Sequence, residues 1–278
     1  MGQSKQRKEQ FFKNHPRCIF CGGDRAASTE EHCPPRALFK DNRWPEGQVF
    51  AACTGCNGGT SDDDLMVAYL AHMDPSNKDP AYVQRGSGLM RGVNRQFPGT
   101  LKQMFERSNV QARSDARRLN VKPSSGQLYR DLGIASVPEA MPKSVGTFAA
   151  KLTKAIYYQQ MSEIFPASGG IMFQWFTNAQ LHEYGKIPVL EVLSAFAGMS
   201  PPIQRSGTDL KDQFDYQYSM SDERDIHVVR AVFGQVFGFV TIFSQTLGRL
   251  EAMEDGIREK LGREDGPFHW LSTNRLRH

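Results

Sequence analysis

Residues 18–23 read CIFCGG, residues 28–35 read STEEHCPP, and residues 53–57 read CTGCN. Two Cys-x-x-Cys knuckles, Cys18 with Cys21 and Cys53 with Cys56, bracket an acidic–histidine pair, Glu31 and His32. The second knuckle runs straight into Asn57. Four of the five cysteines sit in these knuckles, which is the pattern of a metal site in a reducing compartment and not of a secreted disulfide framework. Four thiolates complete a tetrahedral zinc site with no open position, so the spacing predicts a structural Zn2+ held by Cys18, Cys21, Cys53 and Cys56. The 31 residues between Cys21 and Cys53 leave room for an insert, and that insert carries Glu31 and His32. Other readings stand beside this one. His32 with Cys33 is a second candidate ligand pair, Glu31 is readable as a solvated acid, and Asn57 as a helix cap or a left-handed turn beside Gly58 and Gly59.

Working outward, a chain of 278 residues with 39% hydrophobic and 23% charged residues can bury a sizeable core, which excludes wholesale disorder. The first residues are charged and lack the apolar stretch of a signal peptide, and Gln6 breaks the myristoylation pattern that Gly2 would begin. The most apolar region, residues 228–243, is interrupted by Arg230 and Gln235 and is too short for a membrane helix. The expectation is a cytoplasmic protein with no membrane partner. The net charge of +4 is unevenly spread. Residues 85–130 carry ten cations against Glu106 and Asp115, a net +8, and residues 1–17 add five cations against Glu9. The remainder is acidic, so the basic part predicts a polyanionic partner such as nucleic acid, with a solvated helix face as the plainer reading.

Local patterns divide the chain into residues 1–75, 76–143 and 144–278. Residues 1–17 read as a basic lead-in with a helical turn or two. Ser61 is a candidate N-cap, with Asp64 at the capping-box distance, for a helix through Leu65, Ala68 and His72. Asp62, Asp63 and Asp64 suit the start of that helix, and Asp64 is a possible accessory ligand. The basic segment predicts a helix over residues 100–120, followed by breakers at residues 122–126 and 138–142. From Ser144 a clearer helix turns Phe148, Leu152 and Ile156 to one face, with Lys151, Lys154 and Gln159 pointing away. Strands are expected at residues 171–176, 213–218, 226–233 and 236–243, a short helix at 189–196, and a closing helix over 247–261. The aromatics Trp175, Phe176, Phe214, Tyr216 and Tyr218 read as core, and the lone histidines His72, His182, His227 and His269 as structural.

The order Cys-x-x-Cys, acidic-His, Cys-x-x-Cys-Asn resembles the HNH (His-Me finger, ββα-metal) endonuclease family, in its four-cysteine branch with Glu-His in place of the commoner Asp-His. The resemblance covers about residues 15–73. It implies an N-terminal zinc-stapled ββα-metal HNH core; with the basic helical segment and the C-terminal α+β unit with an antiparallel sheet read from the local patterns, the expected fold class is α+β. It implies that His32 is the general base activating water, and that Glu31 and Asn57 hold one catalytic Mg2+ or Mn2+. The zinc would be structural, and the substrate a phosphodiester in DNA rather than RNA. The family's middle Asn, which braces the loop carrying the histidine, has no obvious counterpart. Asn42 comes early, and Gln48 is the other amide. A non-catalytic zinc-binding adaptor that keeps the fold is the alternative, and the C-terminal unit is a candidate for homodimer formation.

Overall fold

A computed structural model describes residues 2–74, 77–187, 190, 198–261 and 268–271. Helix α1 (Gly2–Asn14) leads into the first cysteine knuckle, closed by a bridge between Arg17 and Ala26. Strands β1 (Thr29–His32) and β2 (Val49–Ala52) pair antiparallel, with Thr29 opposite Ala52 and His32 opposite Val49. Helix α2 (Thr54–Gly58) carries Cys56 and Asn57, and α3 (Ser61–Ala71) follows at once. The N-cap of α3 is Thr60 and not Ser61, and no side chain caps it. Thr60 instead donates its hydroxyl back to the Cys56 carbonyl, tying α3 to the knuckle.

The basic segment holds three helices where one was expected. Helix α4 (Pro80–Gln96) has a capping Asp79 and a proline in its first turn, but three internal glycines hide its helical signal. One of them, Gly92, lets α4 approach α3, since a Cβ there would meet Leu65 at 3.2 Å. Helices α5 (Thr100–Phe105) and α6 (Asn109–Arg118) divide the stretch expected to be continuous. The break is set by Ser108, which forms a reciprocal capping box with Gln111.

Helix α7 (Ala140–Met161) starts before Ser144, with Pro142 in its first turn, where the missing N–H has no intrahelical partner to lose. Its buried residues run without a gap from Phe148 to Tyr157. A helix buried on every side packs on two partners at once. Phe148 meets Phe233 and Phe239 of the sheet, while Lys151 meets Asp64 on α3. Lys151 and Lys154, expected on the solvent side, are therefore each only 1% exposed. The boundary expected at residue 144 falls inside α7. A single buried cluster joins Cys18, Phe50 and Met66 to Ile156, Phe239 and Phe243.

The main sheet is antiparallel. Its strands are β3 (Gly170–Thr177), β6 (Asp215–Met220), β7 (His227–Phe233), β8 (Phe237–Ser244) and β9 (His269–Leu271), in the order β6-β7-β8-β3-β9. Alternation sends Ile171, Phe173, Val229 and Phe239 toward α7, and Met172, Val228, Val240 and Ile242 toward the opposite face. That opposite face is covered by α9 (Leu247–Leu261) through Leu250 and Ile257. Helix α8 (Asn178–Tyr184) follows β3, and a small hairpin of β4 (Gln204–Arg205) and β5 (Thr208–Asp209) precedes β6. The fold is mixed α+β with an antiparallel sheet, and the expected strands agree with the observed ones to within two residues at each end. Residues 228–243 form parts of β7 and β8, and no helix among the described residues is long and apolar enough to cross a membrane. The helix expected over residues 189–196 lies outside the described residues, Leu190 apart, as does His278.

Candidate functional site

The two knuckles converge. The sulfur atoms of Cys18, Cys21, Cys53 and Cys56 all lie within 4.8 Å of one another, and all four residues are buried. Gly22 and Gly23, at φ 71° and 83°, turn the first knuckle back on itself. A side chain at Gly22 would strike the Ala167 backbone at 2.8 Å, so this turn is packed against the segment that follows α7. Cys53 caps α2, its sulfur accepting from the Cys56 amide at 3.4 Å. A hydrogen bond from Cys56 holds the Cys18 thiol down to about 5, which favours the thiolate that zinc requires. Behind the cluster Lys154 donates to the Phe20 carbonyl at 2.8 Å. Burial brings this lysine down to about 8, while the nearby thiols of Cys56, Cys21 and Cys18 favour its charged form. Four sulfurs, a backbone N–H donor and a buried cation make a group that could bind zinc. The alternative pair, His32 and Cys33, is not part of it.

Strand alternation separates Glu31 from His32. Glu31 turns inward, 6% exposed, and its Oε1 lies 2.7 Å from Lys151 Nζ. The same ammonium lies 2.7 Å from Asp64 Oδ2 and donates to Thr60 Oγ1 at 2.9 Å. One lysine thus serves two buried carboxylates. Burial pushes Glu31 up to about 7 against the pull of Lys151, and burial likewise raises Asp64. Burial alone would lower Lys151, but Asp64 and Glu31 together hold its proton on. Asp64, read as a helix-start acid, is thus half of a buried ion pair, and its Oδ1 has no hydrogen-bond partner.

Asn57 reaches back to β1. Its Nδ2 donates to Thr29 Oγ1 at 3.1 Å and to the Glu30 carbonyl at 3.2 Å. Thr29 already gives its own proton to the Ala52 carbonyl, so both partners demand a donor and the amide orientation is fixed. Asn57 therefore braces the strand that carries Glu31 and His32.

His32 faces the other side of β1, half-buried, with its ring 4.5 Å from that of Trp44 and nearly perpendicular to it at 87°. Burial lowers its pKa below the usual 6.5, and Arg36 and Arg205 add to the effect while Glu30 opposes it. The imidazole is accordingly uncharged near neutral pH and can take a proton. Neither amide considered for the missing brace reaches it. Asn42 accepts from Arg85 at 2.8 Å, and Gln48 donates to Gln159 at 3.0 Å. The ring contact comes from Trp44, which the motif did not single out. Arg36 stands one helical turn after His32 in sequence, a spacing that could have drawn notice. Lys151 and Arg205 arrive from more than a hundred residues away, with no local signal.

The basic segment is less free than its composition suggests. Arg107 pairs with Asp115 at 2.9 Å, Arg118 with Glu183, and Lys102 with Glu106 at 3.5 Å. Arg85 is spent on the carbonyl of Ala37, and Arg113 lies over Tyr129. Among the described residues Arg91, Arg95, Arg117 and Lys122 form no ion pair. Other expectations hold locally. Phe176, Phe214, Tyr216 and Tyr218 are buried, while His72 bonds the Ala68 carbonyl and His227 the Tyr218 hydroxyl. A cleft of about 690 Å³ lined by Lys40, His72, Tyr82, Arg85 and Val236 lies apart from His32, Glu31 and Asn57, none of which lines it. Compared with family models, with curated proteins and with solved structures, the chain matches none.

Proposed function

We propose that this chain is a metal-dependent phosphodiesterase of the HNH kind acting on nucleic acid, DNA before RNA, with residues 15–73 as its ββα-metal core. The observation that carries the reading is the setting of His32: at the end of a braced strand, against Trp44, and uncharged near neutral pH. In that state it removes a proton from the attacking water as the phosphodiester opens. The cysteine cluster, holding zinc, pins the knuckle of α2 beside β1, and Asn57 fixes the strand from the α2 side. The donor set suits a hard divalent cation. Asn57 commits its nitrogen to β1 and so turns its amide oxygen elsewhere, and Glu31 meets Lys151 through Oε1. Glu31 faces Lys151 and His32 the other side of β1, so Mg2+ or Mn2+ held by Glu31 and Asn57 would supply charge to the phosphoryl oxygens and the leaving 3′-oxygen once Glu31 turns from the lysine to the cation. Arg91, Arg95, Arg117 and Lys122 are available for sequence-independent phosphate contacts.

The test is conversion of supercoiled plasmid, and of a single-stranded substrate, by purified protein with Mg2+ or Mn2+, beside His32→Ala and an EDTA control. Nicking or cutting by wild type and not by His32→Ala is the expected result. Equal inertness of the two proteins sinks the enzyme reading. A second reading, a zinc-stapled adaptor without turnover, is favoured by the ion pair between Glu31 and Lys151, which gives that carboxylate a purely structural employment.

A further inference from the structure

The hairpin of β4 and β5, far along the chain from the cysteine knuckles, docks on the loop that carries Trp44. The Glu46 amide donates to the Gln204 carbonyl at 3.0 Å, and the Ser206 amide donates to Glu46 Oε1 at 2.7 Å. Between these two anchors Arg205 lays its guanidinium over the Trp44 indole, 3.9 Å from the ring centroid, and donates through Nη1 to the Trp44 carbonyl at 3.1 Å. Arg36 lies 5.3 Å from the same indole. The ring that His32 abuts thus carries two guanidinium groups. Neither forms an ion pair among the described residues. That is unlike Arg107, Arg118 and Arg249, which carboxylates neutralise.

Stacking on an aromatic face holds a guanidinium plane while leaving its N–H edge free. Of its five N–H donors Arg205 commits one among the described residues, to the Trp44 carbonyl. Two unneutralised forks on the indole that His32 abuts form a receptor for a phosphate, whose oxygens accept bidentate N–H pairs.

We propose that Arg205 and Arg36, organised by Trp44, form a phosphate clamp at His32, so that the hairpin from the C-terminal half completes the nucleic-acid site. The proposal rests on the phosphodiesterase reading only in placing a nucleic-acid phosphate at His32, and it stands whether or not the bond is cut. Both side chains contact substrate in this arrangement, and Trp44 is a positioning residue.

Binding of a fluorescent oligonucleotide, duplex or single-stranded, is measured by anisotropy in EDTA across a KCl series, with the full chain loaded with zinc. Arg205→Ala and Arg36→Ala are each expected to flatten the slope of log K against log[KCl] by about one, and the double variant by about two. Arg205→Lys keeps the charge and is expected to keep most of the slope. Unchanged slopes in folded variants overturn the clamp, as does a wild type that binds neither oligonucleotide. Should Arg205→Ala lose zinc or unfold, Arg36→Ala and Arg205→Lys decide the matter. Flattened slopes with a wild type that never cleaves retain the clamp and remove the enzyme. Cleavage that depends on His32 with unaltered slopes does the reverse.

Discussion

Replacing Glu31 by glutamine removes one of the two carboxylates that share Lys151 and leaves the lysine paired with Asp64 alone. In the folded chain the Glu31 carboxyl sits at about 7 instead of the ordinary 4.5. At about 1.4 kcal/mol for each tenfold change in proton affinity, ionising it in place withdraws about 3 kcal/mol of folding free energy. The folded value is raised, so the folded chain binds this proton more tightly than the unfolded chain does. The contribution is full below the unfolded pKa and is lost as pH rises through the folded one. Glu31→Gln has no proton to lose. Its stability relative to wild type therefore climbs with pH, by about 2 kcal/mol between about pH 5.5 and 8.5. The assay is urea unfolding at several pH values across that window, in buffer containing zinc and followed by tryptophan fluorescence. A difference that stays flat or falls refutes the reasoning. Lys151→Met is the converse perturbation. It strands two buried carboxylates and costs about 3–5 kcal/mol near neutral pH, with the cost shrinking on acidification as both groups take up protons.

Zinc content is expected at about one ion per chain, lost in the double variant Cys53→Ser with Cys56→Ser along with cooperative unfolding, as read by metal analysis and thermal melts. Asn57→Ala forfeits both hydrogen bonds to β1 and is expected to destabilise by about 1–3 kcal/mol, while Asn57→Asp, which turns an acceptor toward the Glu30 carbonyl, recovers little of that; urea midpoints compare the two. If His32 is the base, kcat/KM rises with pH as the imidazole loses its proton and levels off by neutral pH, because burial and Arg36 hold its pKa below the usual 6.5. A rising limb centred above that value argues for another base.

Features with a local cause could be read along the chain. The paired knuckles announced the cysteine cluster, and the period-two strands of the C-terminal sheet emerged at close to their observed limits because each is bounded by its own turn residues. Helix α4 was missed because Gly86, Gly88 and Gly92 lower its propensity, although Asp79 and Pro80 mark its start. The single helix expected over residues 100–120 divides at Ser108, whose capping box outweighs the continuity of the surrounding pattern. Lys151 and Lys154 illustrate the deeper limit. Helical periodicity identifies an apolar face, but it does not tell whether the opposite, charged face meets water or a second layer of protein. Here it meets α3 and the first knuckle, and both lysines are buried against partners at least 87 residues away in sequence.

The arrangement at Lys151 also bears on which function the site serves. A buried lysine shared by two carboxylates leaves an excess of negative charge, and burial makes that excess costly. In a module whose only task is to hold its shape, Glu31 serves solely as a partner of Lys151, a place that a neutral amide fills without the buried charge. In that case Glu31→Gln is neutral or stabilising above neutral pH and leaves nucleic-acid binding intact. In a phosphodiesterase the same excess favours a divalent cation, and relief of the repulsion becomes part of the free energy of cation binding. Wild type is then stabilised by Mg2+ or Mn2+, while Glu31→Gln melts at the same temperature with and without the ion and has lost cleavage. A variant that is more stable and yet inactive would identify Glu31 as a residue held at the expense of the fold for the sake of the site.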